Sequence, residues 1–540
     1  MKTRTASCPG CGGPVEFRAS SSLVTVCQYC HSAVARADKR VEDHGKIADL
    51  VQTQSKLKLG MKGNFKDKRF DVVGRVQYQH AAGGVWNEWY LLFPGERWGW
   101  LAEAQGRYYL TFEERLKSTF KLPDFDSVEL GQSFKIKEVN VTVTEKGTAT
   151  LGSAEGEIPW DVRPGAKHRY ADLRGDAGTF ATFEFGLVPH IFLGQSVELG
   201  DLKLSGDAGM APEETISVSA LKLSCPKCAG ALTLYAPDES LRVTCPSCTA
   251  LLDVSNGKLA YLQTLSIKQV HPVLPLGSQG KLQGNEYTVI GFMERFVLYK
   301  GKSYPWTEYL LYSNSIGFRW LVNSSDHWSF VEQIDFTSAW PPPDRVSYKS
   351  DSYRKYDVGT ATVRYVLGEF SWRVEIGETS ETMDYIAPPH MLSFERTSTF
   401  NANANKTDVT SGKRKEASAS FAASEEINVS LATYISVDEL EKAFGVSEIR
   451  RPWGVGPIQP SPDMQGWKIL YCNLGFVGLL ALIHLAFSTF KLGKGADVGT
   501  MLLSMLLVSL MPLGLLFYKH NFEVKRWANS DFSPYAQGQE

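Results

Sequence analysis

Hydrophobic residues along most of the chain occur in short runs that alternate with polar residues and end at Gly, Pro or Asn, which is typical of β-strands joined by turns. The most aromatic run, 86–93, places Trp86 and Glu88 on one face of a strand and Trp89 and Leu91 on the other. Both faces are largely apolar, as expected for a strand that is covered on each side in a barrel or a sandwich. We therefore predict a mainly β protein.

An internal duplication organises this β part. A shift of 220 residues superposes the aromatic run at 86–101 on that at 306–321, and a shift of 212 superposes a Gly-Glu-x-x-Trp sequence at 156–160 on its second occurrence. Matches of this length in rare residue types indicate a repeat rather than chance. We predict two all-β barrel- or sandwich-like units, at 57–200 and 274–457.

Three other segments differ from the strand pattern. Residues 41–54 are polar, and we expect a helical connector there. Residues 401–426 are rich in Asn, Ala, Ser, Thr and Lys, which predicts a flexible insertion within the second β-unit. Ser436, Glu439 and Gly445 have the spacing of a capping box followed by a helix stop, so we predict a short helix between the first and the last of them.

Two long apolar runs close the chain. Ile469 to Phe490 contains no acidic or basic side chain except His484, and Val498 to Phe517 contains none. At about 1.5 Å per residue, each run is long enough to cross a hydrocarbon core of about 30 Å. We predict a transmembrane helical hairpin over 467–518, inserted in the lipid bilayer and followed by a tail, 519–540.

The distribution of basic residues predicts the orientation of this hairpin. Six basic residues flank its outer ends, and only two lie in its connecting loop: Arg450, Arg451, Lys468, Lys519, Lys525 and Arg526 against Lys491 and Lys494. This excess favours a two-pass protein of the inner (plasma) membrane with its N-terminal bulk and its C-terminus in the cytoplasm. For the polar residues within the runs, Asn473 and His484, we expect a contact across the hairpin or with a partner rather than a transport path.

Eight of the nine cysteines form four Cys-x-x-Cys pairs in two groups: Cys8, Cys11, Cys27 and Cys30, then Cys225, Cys228, Cys245 and Cys248. Zinc takes about four ligands in a tetrahedron, and two turns that each present two sulfurs supply them. We predict two zinc ribbons, at 1–35 and 218–254, each holding one zinc ion with four cysteines. Redox pairs lie beside a βαβ pattern, which is absent here. Because metal-binding thiolates need a reducing compartment, the cysteines also favour the cytoplasm.

Composition excludes some classes of protein. The 540 residues are 43% hydrophobic, which fits packed cores rather than a disordered chain. A net charge of −2 gives no overall attraction to nucleic acid, and basic residues are not concentrated around either cysteine group. Binding to nucleic acid through the ribbons is therefore an unfavoured alternative.

Candidate chemistry is sparse. Glu88 and Glu308 are weak catalytic candidates, because a carboxylate among tryptophans can have a raised pKa and act as an acid or a base. A structural carboxylate bonded to backbone or to an arginine within the barrel is the favoured interpretation. A Pro-His pair recurs at His190 and His390, and here too a structural role is favoured. The aromatic residues are expected in the core, with the lining of a ligand cleft as the alternative.

The doubled unit resembles a family of uncharacterised bacterial proteins catalogued as domain of unknown function 4178. The resemblance lies in the Leu-x-Leu-Gly start, the Trp-x-Glu-Trp/Tyr strand and the Gly-Glu-x-x-Trp strand of each copy. It covers roughly 57–200 and 274–457, and some members resemble this chain in their zinc-ribbon prefix and membrane tail. The family offers no established activity or catalytic residues. Similar members are associated, by gene neighbourhood, with membrane-stress and polyamine-related systems, which implies a partner-dependent role.

These observations favour a membrane-anchored cytoplasmic binding or scaffold protein with a protein partner at the membrane. Two similar β-units would suit bivalent binding to one partner. The alternative is an enzyme that acts on a lipid-linked or polyamine-like substrate through Glu88 or Glu308.

Overall fold

The structure, a computed structural model, describes residues 4–17, 21–37, 40–46, 55–81, 84–104, 106–114, 122–163, 165–186, 188–205, 221–236, 240–255, 258–265, 270–399, 424–462, 466–489 and 498–535. The fold class expected from the sequence is confirmed, because the described residues form antiparallel sheets followed by two long apolar helices.

The first cysteine module consists of two antiparallel sheets. Its strands are β1 (Arg4–Ser7), β2 (Pro14–Phe17), β3 (Val24–Val26), β4 (Ser32–Ala37) and β5 (Arg40–Lys46). Strands β1 and β2 pair with each other, and β3, β4 and β5 form a meander. The helical connector expected over 41–54 is wrong for 41–46, because this stretch pairs as a strand with the otherwise open edge of β4. Its remainder lies outside the described residues.

The first β-unit is a closed barrel. Its strands are β6 (Lys62–Phe65), β7 (Lys68–Gln79), β8 (Val85–Phe93), β9 (Arg97–Ala104), β10 (Arg107–Glu113), β11 (Ser133–Ile136), β12 (Val139–Ile158), β13 (Lys167–Gly175), β14 (Thr179–Phe185) and β15 (His190–Val197). Eight of them pair in the order β7-β8-β9-β10-β15-β14-β13-β12, and β12 returns to β7. Short 3₁₀ turns lie at Phe125–Ser127, Asp176–Gly178 and Leu199–Leu202.

The second cysteine module repeats the first. It comprises β16 (Leu221–Ser224), β17 (Ala231–Leu234), β18 (Arg242–Thr244), β19 (Ala250–Ser255) and β20 (Lys258–Thr264). Strand β20 continues the sheet beyond residue 254, where the sequence predicted the ribbon to end, because it pairs with β19 as β5 pairs with β4.

The second β-unit is a barrel of the same order. Its strands are β21 (Gln279–Leu282), β22 (Asn285–Tyr299), β23 (Lys302–Ser313), β24 (Gly317–Ser324), β25 (His327–Gln333), β26 (Arg345–Tyr348), β27 (Asp351–Phe370), β28 (Thr379–Ala387), β29 (His390–Thr399) and β30 (Ser424–Ile435). The ring runs β22-β23-β24-β25-β30-β29-β28-β27 and closes on β22.

Two predictions about the end of this unit have different outcomes. The flexible insertion was predicted over 401–426, and its predicted end is wrong, because 424–426 belong to β30 and pair with β29. Residues 401–423 lie outside the described part of the chain. The short helix is confirmed as α1 (Val437–Phe444), which Ser436 caps by accepting a hydrogen bond from the Glu439 backbone N–H. Gly445 ends it in the left-handed conformation.

The aromatic strand β8 is covered on both faces, as its alternation predicts. Trp89 and Leu91 are fully buried in one apolar cluster. Tyr90 and Leu92 belong to a second cluster on the opposite face. The two tryptophans of this strand therefore lie on opposite faces. Trp89 belongs to the first cluster, and Trp86 packs against the second, toward the barrel interior described below.

The two barrels are joined side by side. Strand β12 of the first pairs with β30 of the second over three residue pairs. Around this seam, apolar residues of both barrels form one buried cluster. Asp335 of the second barrel extends between two arginines of the first, with its Oδ1 lying 3.1 Å from an Nη1 atom of Arg107 and 2.8 Å from one of Arg174.

Two helices, α2 (Gly466–Thr489) and α3 (Val498–Arg526), are long and apolar enough to cross a membrane. Asn473 on α2 donates a hydrogen bond to the Val508 carbonyl on α3 at 3.2 Å, a contact across the hairpin of the kind expected for this residue. Beyond the apolar part of α3, the chain docks onto the second barrel. There the buried Arg526 donates to the Pro457 carbonyl at 2.9 Å, and Tyr356 donates to the Arg526 carbonyl at 3.0 Å.

Candidate metal centres and ligand cavity

Each cysteine module gathers its four sulfurs at one point. In the first, the Sγ atoms of Cys8 and Cys30 lie 3.6 Å apart, as do those of Cys11 and Cys27. In the second, the corresponding distances are 3.7 and 3.8 Å for the pairs Cys225–Cys248 and Cys228–Cys245. All four ligand atoms of each group lie within 4.8 Å of one another. The two cysteine groups therefore fit one metal ion each.

Local backbone geometry forms these centres. The two Cys-x-x-Cys turns of the first module close through hydrogen bonds from Gly12 N to Cys8 O (2.8 Å) and from His31 N to Cys27 O (2.9 Å). The second module closes its turns in the same way, from Ala229 to Cys225 and from Thr249 to Cys245. His31 contributes no atom to the sulfur group.

A glutamate attaches each module to its barrel. Glu157 accepts a hydrogen bond from the Ser22 hydroxyl at 2.6 Å, beside the pairing of β3 with β12. Its counterpart Glu369 accepts from the backbone N–H groups of Tyr235 (2.6 Å) and Ala236 (3.0 Å), beside the pairing of β18 with β27. Sequence reasoning recognised these glutamates within the Gly-Glu-x-x-Trp repeat but missed their role, because their partners lie more than 100 residues away in the chain.

A single cavity of about 2720 Å³ is lined by residues of both barrels, of the linker before α2 and of the segment after α3. The lining residues alternate along the strands: His168, Tyr170, Asp172 and Arg174 on β13, and Met391, Ser393, Glu395 and Thr397 on β29. Since every second residue of a strand points to the same side, these are the inward faces of the two barrels. We call the interiors lumen 1 and lumen 2. The glutamates predicted as candidates, Glu88 and Glu308, line this cavity, and so do Trp86 and Trp306.

Lumen 1 contains three carboxylic acids, Glu88, Asp172 and Glu184, whose contacts are with neutral groups. Glu88 accepts from Trp86 Nε1 at 3.3 Å and from the Tyr90 hydroxyl at 3.4 Å. Asp172 accepts from the Thr182 hydroxyl at 2.8 Å. Burial raises the pKa of Glu88 to about 7 and raises the pKa values of Asp172 and Glu184 well above the usual range, with the neighbouring carboxylates adding to the last two shifts.

The basic groups of lumen 1 do not neutralise this trio. His168 Nε2 lies 3.8 Å from Glu184, but burial lowers the pKa of His168 to about 4, so this ring is neutral near pH 7. Arg174 is paired with Asp335, and its charge only partly offsets the rise in the pKa of Asp172. His80 contacts a fourth carboxylate, Glu145, at 3.1 Å.

Lumen 2 has the corresponding acids together with a cation. The Arg295 guanidinium contacts Glu308 at 3.2 Å and Glu395 at 2.5 Å, and it lies over the Trp306 ring at 5.7 Å from the ring centroid. Burial would raise the pKa of Glu395, but the charge of Arg295 and hydrogen bonds from Arg295 and Ser380 lower it below its usual value. The sequence predicted a structural carboxylate bonded to backbone or to an arginine within the barrel. The bond to an arginine is confirmed for Glu308. It is wrong for Glu88, whose two hydrogen-bond donors, Trp86 and Tyr90, are neutral.

The two Pro-His pairs are not equivalent. His190 begins β15, where it lies opposite Glu184 and 2.7 Å from Glu113. His390 begins β29, which occupies the place of β14 in the second barrel, and contacts Thr433. The sequence match between them is therefore wrong, because it skips one strand of the repeat.

The fold and these sites define a class: a protein with duplicated closed β-barrels, each preceded by a four-cysteine metal-binding module, and with two helices apolar enough to cross a membrane. Residues 58–199 and 275–417 match the family described as domain of unknown function (DUF4178). The two matches together cover more than half of the chain, so the protein belongs to this family. Neither a curated protein nor a solved structure matches the chain.

Proposed function

We propose that the protein is a membrane-anchored cytoplasmic binding protein that holds a small ligand in the cavity shared by its two barrels. The observation that carries this proposal is the polar interior of the barrels: carboxylic acids and aromatic rings of both copies line a space of about 2720 Å³. Eight-stranded barrels either fill their interior with side chains or hold one small ligand there.

Stability alone gives no reason for such an interior. Burying a carboxylic acid without a charged partner costs free energy, and replacing it by a well-packed apolar residue usually stabilises a protein. Perturbed acids of this kind gather at functional sites, where a ligand supplies the missing interactions. Glu88 and Asp172 meet this description, since they line the cavity and have neutral hydrogen-bond partners.

Three observations support the cytoplasmic face of a membrane as the location. The end of α3 contacts the second barrel through the Arg526 carbonyl and the linker before α2 through the Arg526 side chain, which brings both outer ends of the hairpin to the same side. Basic residues flank those ends, and such residues favour the cytoplasm. The metal-binding thiolates need a reducing compartment.

Zinc is the metal that we propose for both cysteine groups. Four sulfurs placed tetrahedrally at about 2.3 Å from a zinc ion lie about 3.8 Å from one another. The sulfur distances of 3.6 to 3.8 Å fit this geometry. Each ion would hold together the two turns of a ribbon that is attached to its barrel through Glu157 or Glu369.

Native mass spectrometry of the full-length protein, purified from its own membranes in a mild detergent, tests the binding function. We expect a retained small molecule beyond the mass of the chain and its metal ions. Ala102 lines lumen 1, so Ala102→Trp should displace this molecule while circular dichroism and metal content remain unchanged. Glu138→Trp, on an exposed turn, is the matched control.

A scaffold that acts through a protein partner predicts a different result. The wild type and the Ala102→Trp variant would then retain the same stoichiometric partner and no small molecule. If both proteins retain the partner and no small molecule, the ligand-binding proposal is wrong and a scaffold function is supported.

Catalysis by Glu88 is a second candidate, because a carboxyl group with a pKa of about 7 both donates and accepts protons near neutral pH. An enzyme for a lipid-linked or polyamine-like substrate would convert the retained molecule on incubation. Glu88→Gln would abolish that conversion while leaving the fold intact.

A further inference from the structure

The two barrels differ at one position of their shared register. In the first, Tyr78 on β7 lies opposite Trp86 on β8. In the second, Arg295 on β22 lies opposite Trp306 on β23. Because Trp306 is the counterpart of Trp86, Arg295 stands where the first barrel has Tyr78.

The acids around this position are kept in both barrels. Thr182 lies opposite Asp172 on β14 and β13, and Ser393 lies opposite Asp384 on β29 and β28. Each hydroxyl donates to its aspartate, at 2.8 and 2.6 Å. Glu184 and Glu395 follow two residues after these hydroxyl residues and therefore correspond as well. With Glu88 and Glu308, each lumen contains the same trio of acids.

In lumen 2 an internal cation pairs with two acids of the trio, Glu308 and Glu395, while burial still raises the pKa of Asp384 to about 7. Arg295 bridges Glu308 and Glu395 and stacks over Trp306, so one planar organic cation lies between two carboxylates and an indole ring. Carboxylates and aromatic faces both attract a guanidinium or ammonium group.

Lumen 1 has the acids and the indole ring without that cation. Tyr78 stacks on Trp86, with ring centroids 5.2 Å apart, and supplies no charge. Trp86 and Tyr170, whose ring centroids lie 5.6 Å apart, both line the cavity.

We propose that lumen 1 binds an organic cation whose ammonium or guanidinium group pairs with the trio Glu88, Asp172 and Glu184 and lies against Trp86. The ligand supplies from outside the positive charge that Arg295 supplies within lumen 2. This inference rests on the proposed function, since it names the chemical class of the ligand in the shared cavity.

A metal ion fits this site less well than an organic cation. Among the described residues, the groups of three or more ligand atoms close enough for one ion are the two cysteine groups, and the trio is not among them. Aromatic walls also suit an organic cation, because a ring face offers no coordinating lone pair to a hard dication.

Titration calorimetry on the full-length protein in detergent tests the proposal, with n-butylammonium and n-butylguanidinium as probes and 1-butanol as the uncharged control. We expect one cationic probe to bind per chain and butanol not to bind. Glu88→Gln should weaken binding by about tenfold, since it removes one charge-assisted contact. Glu138→Gln, the same substitution on an exposed turn of the first barrel, is the matched control and should change the affinity by less than about twofold.

Tyr78→Arg gives the sharpest test, because it places the guanidinium of the second barrel into the first. It should abolish probe binding, whereas Tyr78→Phe should retain it. Circular dichroism and the content of two metal ions report folding. If Tyr78→Arg does not fold, the comparison of Glu88→Gln with Glu138→Gln decides.

Several outcomes would overturn the proposal. One is an unchanged affinity in both Glu88→Gln and a folded Tyr78→Arg, and another is a wild type that binds butanol as well as the cations. If a neutral or anionic molecule is retained in the native protein and the probes do not bind, the cation proposal fails while the binding function stands. If no molecule is retained and no probe binds, both fail.

The source of the cationic group is decided by extraction of the retained molecule. A water-soluble amine or guanidine indicates a free solute, and an ethanolamine phospholipid indicates a lipid headgroup. Protein in nanodiscs of phosphatidylglycerol with phosphatidylethanolamine should then bind the probes more weakly than protein in phosphatidylglycerol alone. Without competition by the lipid, the ligand is the free solute.

Discussion

Glu145 of β12 lies directly opposite Glu426 of β30, so the backbone pairing that joins the two barrels places two carboxyl groups face to face. His80 contacts Glu145, and Tyr170 donates a hydrogen bond to it. Burial would raise the pKa of Glu145, but His80 and Tyr170 lower it below its usual value. For Glu426, burial and the charge of Glu145 raise the pKa to about 7.

The stability of this seam should therefore depend on pH. Because the pKa of Glu426 is higher in the folded chain than its ordinary value of 4.5, the folded state binds the extra proton, and the free energy of unfolding falls as the pH rises from about 4.5 to about 7. Glu426→Gln removes this loss. We expect the Tm of Glu426→Gln to exceed that of the wild type by an amount that grows over this range, measured on the full-length protein in detergent.

Glu425 is the matched control for this change, because it precedes Glu426 on β30 and lies beside Arg396 at 3.7 Å. Its replacement by Gln should give a Tm difference that does not grow with pH. His80 and Arg174 also face the Glu426 carboxyl group. The raised pKa of His80 acts in the same direction, since its stabilising contribution is present at low pH and is lost as the pH rises through its folded pKa. Equal pH responses of both variants would contradict the assignment to Glu426.

Cation binding in lumen 1 should strengthen as the pH rises through about 7. Glu88 must lose its proton to pair with a cation, and burial holds its pKa at about 7. Tyr78 and Tyr90 face it from β7 and β8, while Asp172 and Glu184 face it from β13 and β14. Calorimetry with n-butylguanidinium in buffers of different ionisation enthalpy should detect proton release on binding near this pH. Binding without proton release across that range would contradict the role of Glu88.

Gly156→Ala should destabilise the first barrel by about 2 kcal/mol or more. This glycine has a φ of +72°, and a Cβ atom there would lie 2.3 Å from the Val73 carbonyl oxygen, at the crossing of β12 and β7. Gly165→Ala is the control that separates backbone strain from the steric clash with Val73. Gly165 also has a positive φ, of +75°, but no atom lies within 4 Å of its Cβ position. Thermal unfolding should show the larger loss for Gly156→Ala, and equal losses would indicate backbone strain alone.

Each cysteine module should account for one metal ion. Elemental analysis of the wild type should find two zinc ions per chain, and Cys245→Ser should leave one, because a buried ligand of the second module is removed. Cys472→Ser is the control, since this cysteine lies on α2, apart from both modules. A metal content that Cys245→Ser does not change would contradict the assignment.

Arg526→Ala should loosen the contact between the end of α3 and the linker before α2. Its side chain is 1% exposed and donates to the carbonyl groups of Gly456 and Pro457, so the substitution leaves these acceptors unpaired. We expect faster proteolysis of the tail and a loss of roughly 2 kcal/mol in stability. Lys525→Ala, at the exposed neighbouring position, should leave both unchanged.

The sequence by itself determined the local features of this protein. Period-two alternation identified the covered strand around Trp89, Cys-x-x-Cys spacing identified both sulfur groups, and the apolar runs identified α2 and α3. These features depend on neighbours within a few residues or on an exact repeat, so they are visible in one dimension. The duplication also made Glu88 and Glu308 candidates together.

Only the tertiary structure decided what these residues do. Glu88 and Glu308 occupy matching positions, yet Arg295 neutralises Glu308, whereas Tyr78 leaves Glu88 without a cation. The residues that distinguish them come from other strands of each barrel, and strand pairing over long separations is set by barrel closure rather than by local pattern. For the same reason, the strand at 40–46 followed from an open sheet edge and not from its own polar sequence.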